Sequence, residues 1–142
     1  MTRGIAEGAK LLVGGSTDGL PDRGYYVAPT VFSAADARMD VVRQEIFGPV
    51  TTIQRFNSEQ EAIEMANDTV YGLSGSVFSP DVGQALRVAR QLRAGVLSVN
   101  SIKSVHIEAP FGGFKQSGLG RELGMEAMEL YTELRNIFIE VD

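Results

Sequence analysis

The chain of 142 residues contains no cysteine, no tryptophan and a single histidine, His106. Without cysteine there are no disulfides, no thiolate metal sites and no cysteine nucleophile. One histidine cannot build a histidine-rich metal site, and nothing in Ser104-Val-His-Ile-Glu108 orients it, so His106 reads as a polar loop residue. No apolar run approaches the roughly 18 residues of a membrane-spanning helix. The opening Met1–Gly8 also lacks the apolar centre of a signal peptide. Positive charge is in deficit, with 13 Lys and Arg against 18 Asp and Glu and a net charge of −5. That balance argues against a general nucleic-acid binder, which needs a basic surface. Asp18, Asp22, Asp36 and Asp40 lie in loops without calcium-loop spacing and read as solvated. The expectation is a cytoplasmic protein without metal, membrane or nucleic-acid partners.

What is present is ordinary globular material: 44% hydrophobic and 22% charged residues, enough for one domain with its own core. Short apolar runs alternate with amphipathic stretches. Ala9–Val13 reads as a strand, Ser16–Gly24 as a turn-rich loop, and Tyr25–Phe32 as irregular extended chain broken by Pro29. A short helix is expected near Met39–Arg43 and a strand over Val50–Phe56. Ser58-Glu-Gln-Glu61 fits a capping box ahead of a helix burying Ala62, Ile63, Met65 and Ala66. Leu73–Phe78 follows as a strand. Ser79-Pro80-Asp81 then reads as a helix start with Ser79 as N-cap and Pro80 at the first helical position. Val82, Ala85, Leu86, Ala89 and Leu92 recur at helical spacing, with Gly95 as the expected stop. Val96–Asn100 is a strand, Arg121–Tyr131 a last helix and Arg135–Val141 a terminal strand. This alternation implies an α/β fold with a mostly parallel sheet and flanking helices.

Two segments carry chemistry. In Pro110-Phe-Gly-Gly-Phe-Lys-Gln-Ser-Gly-Leu-Gly-Arg-Glu-Leu-Gly124, five glycines imply positive φ or a close backbone approach. The spacing is not that of the dinucleotide G-x-G-x-x-G, nor does the chain hold a phosphate-binding G-x-x-x-x-G-K-[ST]. In Glu45-Ile-Phe-Gly-Pro-Val50, an acid and an aromatic flank a Gly-Pro turn. Glu45 offers acceptors to a sugar's hydroxyls and Phe47 a flat face to a heteroaromatic ring. The alternative is a solvated glutamate beside a core phenylalanine.

Together with Ala66-Asn-Asp-Thr-Val-Tyr-Gly-Leu73 and Gly95-Val-Leu-Ser-Val-Asn100, these segments resemble the NAD(P)-dependent aldehyde dehydrogenases, in family order and at family spacing. The resemblance covers essentially the whole chain but only the last part of the enzyme. It implies residues 1–131 as the C-terminal portion of the catalytic domain and 132–142 as an oligomerisation strand. By the same resemblance the dinucleotide-binding domain, the cysteine nucleophile and the glutamate base would lie before residue 1. Glu45 is then assigned to the nicotinamide ribose of NAD or NADP, and Phe47 to the nicotinamide side of the pocket. Phe111 would line an aldehyde tunnel, with Val105 and its loop at the mouth. Glu122 is a relay or structural group, ion-paired with Arg121. Gln44 stands where many members have a second glutamate. Lys103 and His106 lie where substrate preference varies, and their charge favours an acidic substrate. The resemblance further implies a homo-oligomer held through the C-terminal strand, and a chain inactive alone for want of the nucleophile. The alternative is a non-enzymatic self-association module derived from that family.

Overall fold

The computed structural model describes residues 1–33 and 36–141. Two compact units divide the chain, Met1–Met65 and Ala66–Asp142. Each is built on its own sheet of short strands with helices between them, an α/β arrangement as expected.

In the first unit β1 (Lys10–Val13) runs antiparallel to β2 (Thr30–Ser33), and β2 runs parallel to β3 (Val50–Ile53). The central strand supplies the core, with Phe32 fully buried and Thr30 1% exposed. A hydroxyl so deeply buried needs partners. Thr30 Oγ1 donates to the Ala28 carbonyl at 2.8 Å and accepts from the Gly15 amide at 3.1 Å. Only the end of the expected Tyr25–Phe32 segment pairs, because Pro29 brings no amide donor to a ladder and the strand starts after it. Two short helices, α1 (Thr2–Ala6) and α2 (Asp40–Arg43), pack on each other. The first has no counterpart in the sequence expectation. Arg3 pairs with Asp40, and Glu7 accepts the Asp40 amide at 2.7 Å. Asp36 pairs with Arg38 at 2.6 Å, so two of the four aspartates expected to be merely solvated hold ion pairs.

Helix α3 (Glu59–Asn67) is capped by Ser58, whose Oγ accepts the Glu61 amide at 3.1 Å. The returning bond from Glu61 reaches the Asn57 amide at 2.6 Å, one residue beyond the usual box. Of the expected apolar stripe Ile63 is buried, Ala62 and Met65 are half-buried, and Ala66 faces solvent.

In the second unit β4 (Ser74–Val77) and β5 (Val96–Val99) are parallel neighbours joined through α4 (Val82–Ala89), whose Ala85 and Ala89 are buried. The N-cap is Asp81, not Ser79: its carboxylate accepts the Gln84 amide at 3.1 Å, while Ser79 Oγ accepts the Asp81 amide at 3.2 Å. An ionised acceptor makes the stronger cap bond, so the hydroxyl is left to shape the preceding turn. Gly95 is likewise not the helix stop, since α4 ends at Ala89 with Arg90 in the right-handed region.

The two C-terminal expectations also change. Residues 121–124 are not helical, because Glu122 bridges to Phe111 and Gly124 sits at φ 64°, ψ −179°. A 3-10 segment begins only at Met125, and Met125–Tyr131 buries no residue that would hold a regular α-helix. Arg135–Val141 forms no strand, and its apolar side chains Ile137, Phe138, Ile139 and Val141 are exposed. An extended segment needs a neighbour to satisfy its ladder, and the second unit offers it none. Asp142 lies outside the described residues.

Candidate functional site

In the first unit, α2 ends at Arg43 and the chain runs through Glu45 into the Gly48-Pro49 turn. Two bonds hold that turn against the sheet: Val50 N to Gly48 O at 2.7 Å and Thr30 N to Pro49 O at 2.8 Å. Phe47 sits just before it on a left-handed backbone, φ 53°, with 90% of its surface exposed. A bulky side chain in that region is strained, and an exposed ring gains nothing from the core. Phe47 is therefore not part of the core of this unit, whereas an exposed Glu45 agrees with both readings. Glu45 is also exposed, and both side chains line an open cleft of about 360 Å³ together with Gln44, Gly48 and Thr51. The arrangement presents a carboxylate and a flat apolar face on one rigid turn.

In the second unit the glycine-rich loop is tied at many points. Phe111 and Glu122 exchange backbone bonds, 2.7 Å each way, and the Gly124 amide bonds to the Ile107 carbonyl at 3.0 Å. The Gly72 carbonyl accepts from both Gly95 (2.9 Å) and Phe114 (2.8 Å), and the Gly72 amide bonds to Ser117 Oγ at 2.9 Å. A Cβ at Gly95 would overlap the Gly112 carbonyl, which is the glycine-only crossing anticipated for this loop. Gly118, Gly120 and Gly124 take positive φ, so the five glycines divide between the two roles expected of them.

Arg121 does not pair with Glu122. Its guanidinium donates to the carbonyls of Gly113 (3.0 Å) and Gly120 (2.5 Å) and lies 5.3 Å from the centre of the Phe114 ring. A planar fork of donors suits two converging carbonyls and a ring face better than one flexible carboxylate. Glu122 thus contributes its backbone to the bridge and leaves its side chain exposed.

Phe111 is half-buried at that bridge and Val105 is exposed in the preceding loop. The loop follows the carboxyl end of β5, beginning at Asn100, whose side chain accepts the Ser79 amide at 2.9 Å and donates to the Ser79 carbonyl at 3.0 Å. A second cleft, also about 360 Å³, opens between β5 and this loop and reaches Pro110 beside Phe111. Phe111, Arg121 and Glu122 are thus brought together, Val105 stays on the adjoining loop, and Glu45 with Phe47 belong to the other unit.

Two positions escaped the sequence reading. Asn67 donates to the Gln91 carbonyl at 2.9 Å and accepts the Arg93 amide at 2.7 Å. Lys115 Nζ donates to the carbonyls of Asn67 (3.0 Å) and Thr69 (3.1 Å), from a backbone at φ 55°. Backbone carbonyls leave no trace in a charge pattern, so nothing in the sequence names the partners of this lysine. Among the described residues no group of three or more His, Asp or Glu side chains could hold a metal ion, and no helix is long and apolar enough to cross a membrane.

The family pattern of the aldehyde dehydrogenases matches residues 1–137. The betaine aldehyde dehydrogenase of Bacillus subtilis (strain 168) is 47% identical over 137 residues, covering 95% of this chain and 28% of that enzyme. The crystal structure of the Mycobacterium tuberculosis aldehyde dehydrogenase complexed with NAD+ superposes with a TM-score of 0.88 at 42% identity, covering 93% of this chain and 27% of that one. The betaine aldehyde dehydrogenase of Staphylococcus aureus, also in complex with NAD+, gives 0.85 at 48% identity, with 92% and 26% covered. The chain therefore spans little more than a quarter of the length of the relatives it matches. Over that span sequence and fold agree, and the chain belongs to the aldehyde dehydrogenase family.

Proposed function

We propose that this chain supplies the C-terminal portion of the catalytic domain of an NAD(P)-dependent enzyme that oxidises an aldehyde to a carboxylic acid. Residues 1–131 form that portion and 132–142 the oligomerisation strand. The observation that carries it is Phe47, held exposed on a strained turn next to the Glu45 carboxylate. Strain of this kind persists where the site, not the core, uses the side chain. A carboxylate accepts both hydroxyls of a ribose and an exposed ring packs on a nicotinamide, so these residues fit NAD or NADP. When bound, that cofactor supplies the hydride acceptor. Glu45 orients its ribose, Phe47 limits its sliding, and Phe111 with Val105 forms one wall of the aldehyde path. Arg121 and Glu122 brace that wall through the backbone instead of relaying protons.

The chain has no cysteine, and thiolate attack on an aldehyde requires one. Alone it is therefore inactive and becomes competent only with a nucleophile-bearing, dinucleotide-binding segment. The proposed assembly is a cytoplasmic homo-oligomer in which residues 132–141 add to a partner's sheet. To test this, the chain is joined to the upstream portion of the Bacillus relative and NAD(P)H formation is followed with mixed aldehydes. The expected result is activity in the fusion, none in the 142-residue chain, and no calorimetric NAD(P) binding by that chain at millimolar cofactor. Turnover by the chain alone would overthrow the account of the nucleophile. Strand addition without activity in any fusion would favour the second reading, a non-enzymatic association module.

A further inference from the structure

We infer that the cleft between β5 and the loop after Asn100 receives a carboxylate, so that the preferred aldehyde carries an acidic group at its far end. The substrate assignment rests on the proposed function; binding of the carboxylate does not. The polar lining consists of Ser98, Ser101, Lys103, Ser104 and His106, and neither Asp nor Glu lines the cleft. In a chain of net charge −5, a cleft with a cation and no acid is a local reversal of sign. The Lys103 backbone is pinned twice: its amide bonds to Ser101 Oγ at 3.0 Å and its carbonyl accepts the Ser98 hydroxyl. Its ammonium has no hydrogen-bond or ion-pair partner among the described residues. A lysine whose main chain is fixed and whose charge is unspent is suited to an anion. Ser104 and His106 line the same cleft and add further hydrogen-bond donors. The location is also one where parallel sheets bind ligands, outside the carboxyl end of a strand, and the cleft ends at Pro110, next to Phe111 of the proposed aldehyde wall. The same surface disfavours a quaternary ammonium group. The inference therefore separates this chain from the betaine aldehyde dehydrogenases it resembles, whose named substrate is cationic.

Two measurements decide it. The first uses the full chain and amide chemical shifts for residues 98–110, titrated with succinate, its neutral isostere succinamide, choline and inorganic phosphate. Succinate is expected to shift these amides at millimolar concentration, succinamide and choline to leave them in place, and phosphate to bind more weakly. Lys103→Met should abolish the succinate response and Lys103→Arg retain it; the bonds that fix position 103 are main-chain, so both variants keep the loop. Equal shifts in Lys103→Met, equal shifts from succinamide, or tighter binding of phosphate would each overturn the inference. The second uses the fusion enzyme and the ratio of kcat/KM for a four-carbon aldehyde acid to that for the uncharged aldehyde of equal length. Lys103→Met should lower that ratio about 10-fold, mainly through KM. An active fusion whose ratio ignores Lys103 sinks the substrate assignment and leaves the proposed function standing. Succinate binding with no activity in any fusion leaves the carboxylate site standing and removes the proposed function, and with it the substrate assignment.

Discussion

At position 95 the chain entering β5 passes so close to Gly112 that one methyl group would overlap its carbonyl. Gly95→Ala should therefore destabilise the second unit by about 1–3 kcal/mol, the usual penalty for forcing atoms into filled space. Urea denaturation followed by circular dichroism measures it, with Gly48→Ala as control because a Cβ there meets nothing within 4 Å. Equal losses in the two variants would remove the crossing as the cause. Asp36 is a different single-residue case. Its hydrogen bonds and ion pair with Arg38 hold its carboxyl down to about 2, from an ordinary 3.8. A lowered pKa means that the folded state favours the charged form. The contribution is complete above 3.8 and is lost as pH falls through about 2. Both groups are exposed, so the effect is read as a titration midpoint rather than as a stability. Carboxyl NMR should place Asp36 near 2 and return it toward 3.8 in Arg38→Gln; an unmoved midpoint would dissociate the two residues. Spacing alone marked Asp36 as solvated, because loop pairing over two residues has no periodic signature.

Among the elements, the start of α4 separates two residue types that sequence rules treat alike. Asp81 holds the cap bond to the Gln84 amide and Ser79 does not. Asp81→Ala should cost about 1 kcal/mol and Ser79→Ala clearly less, measured as thermal melting of helical ellipticity. A larger loss from Ser79→Ala would restore the serine as cap. Four of the five strands were legible as strand runs and β2 only as the end of an irregular extended segment, while α3 with its capping serine was visible from Ser58-Glu-Gln-Glu61. The misjudged ends share a cause. Residues 121–124 have helical composition, yet the Phe111–Glu122 bridge and Gly124 at φ 64° claim their backbone first. A contact between residues so far apart in sequence overrides a local propensity of a few tenths of a kcal/mol per residue. The capping choice at Ser79-Pro80-Asp81 was likewise decided by which acceptor could reach the Gln84 amide.

At the scale of the molecule the small core stands out: among the described residues the buried apolar ones are Ala9, Phe32, Ile63, Ala85 and Ala89, while Phe47, Leu119, Leu134 and Phe138 are almost wholly exposed. Exposed apolar surface of this extent marks contacts with something else. The chain should bind the dye ANS and self-associate, and ending it at Tyr131 should reduce both, as read by fluorescence and light scattering. A clean monomer with background fluorescence would contradict the proposed terminal strand and the unmet surface alike. Sequence by itself determined the family and the α/β alternation and singled out Glu45, Phe47 and Phe111 as candidates, because motif order and apolar periodicity are local properties of the chain. Only tertiary structure decided that Phe47 is strained and exposed, that Arg121 serves carbonyls instead of Glu122, and that Lys115 closes the glycine loop onto Asn67 and Thr69. Those outcomes depend on which backbone groups arrive from distant positions, and an unpaired carbonyl has no letter in the sequence.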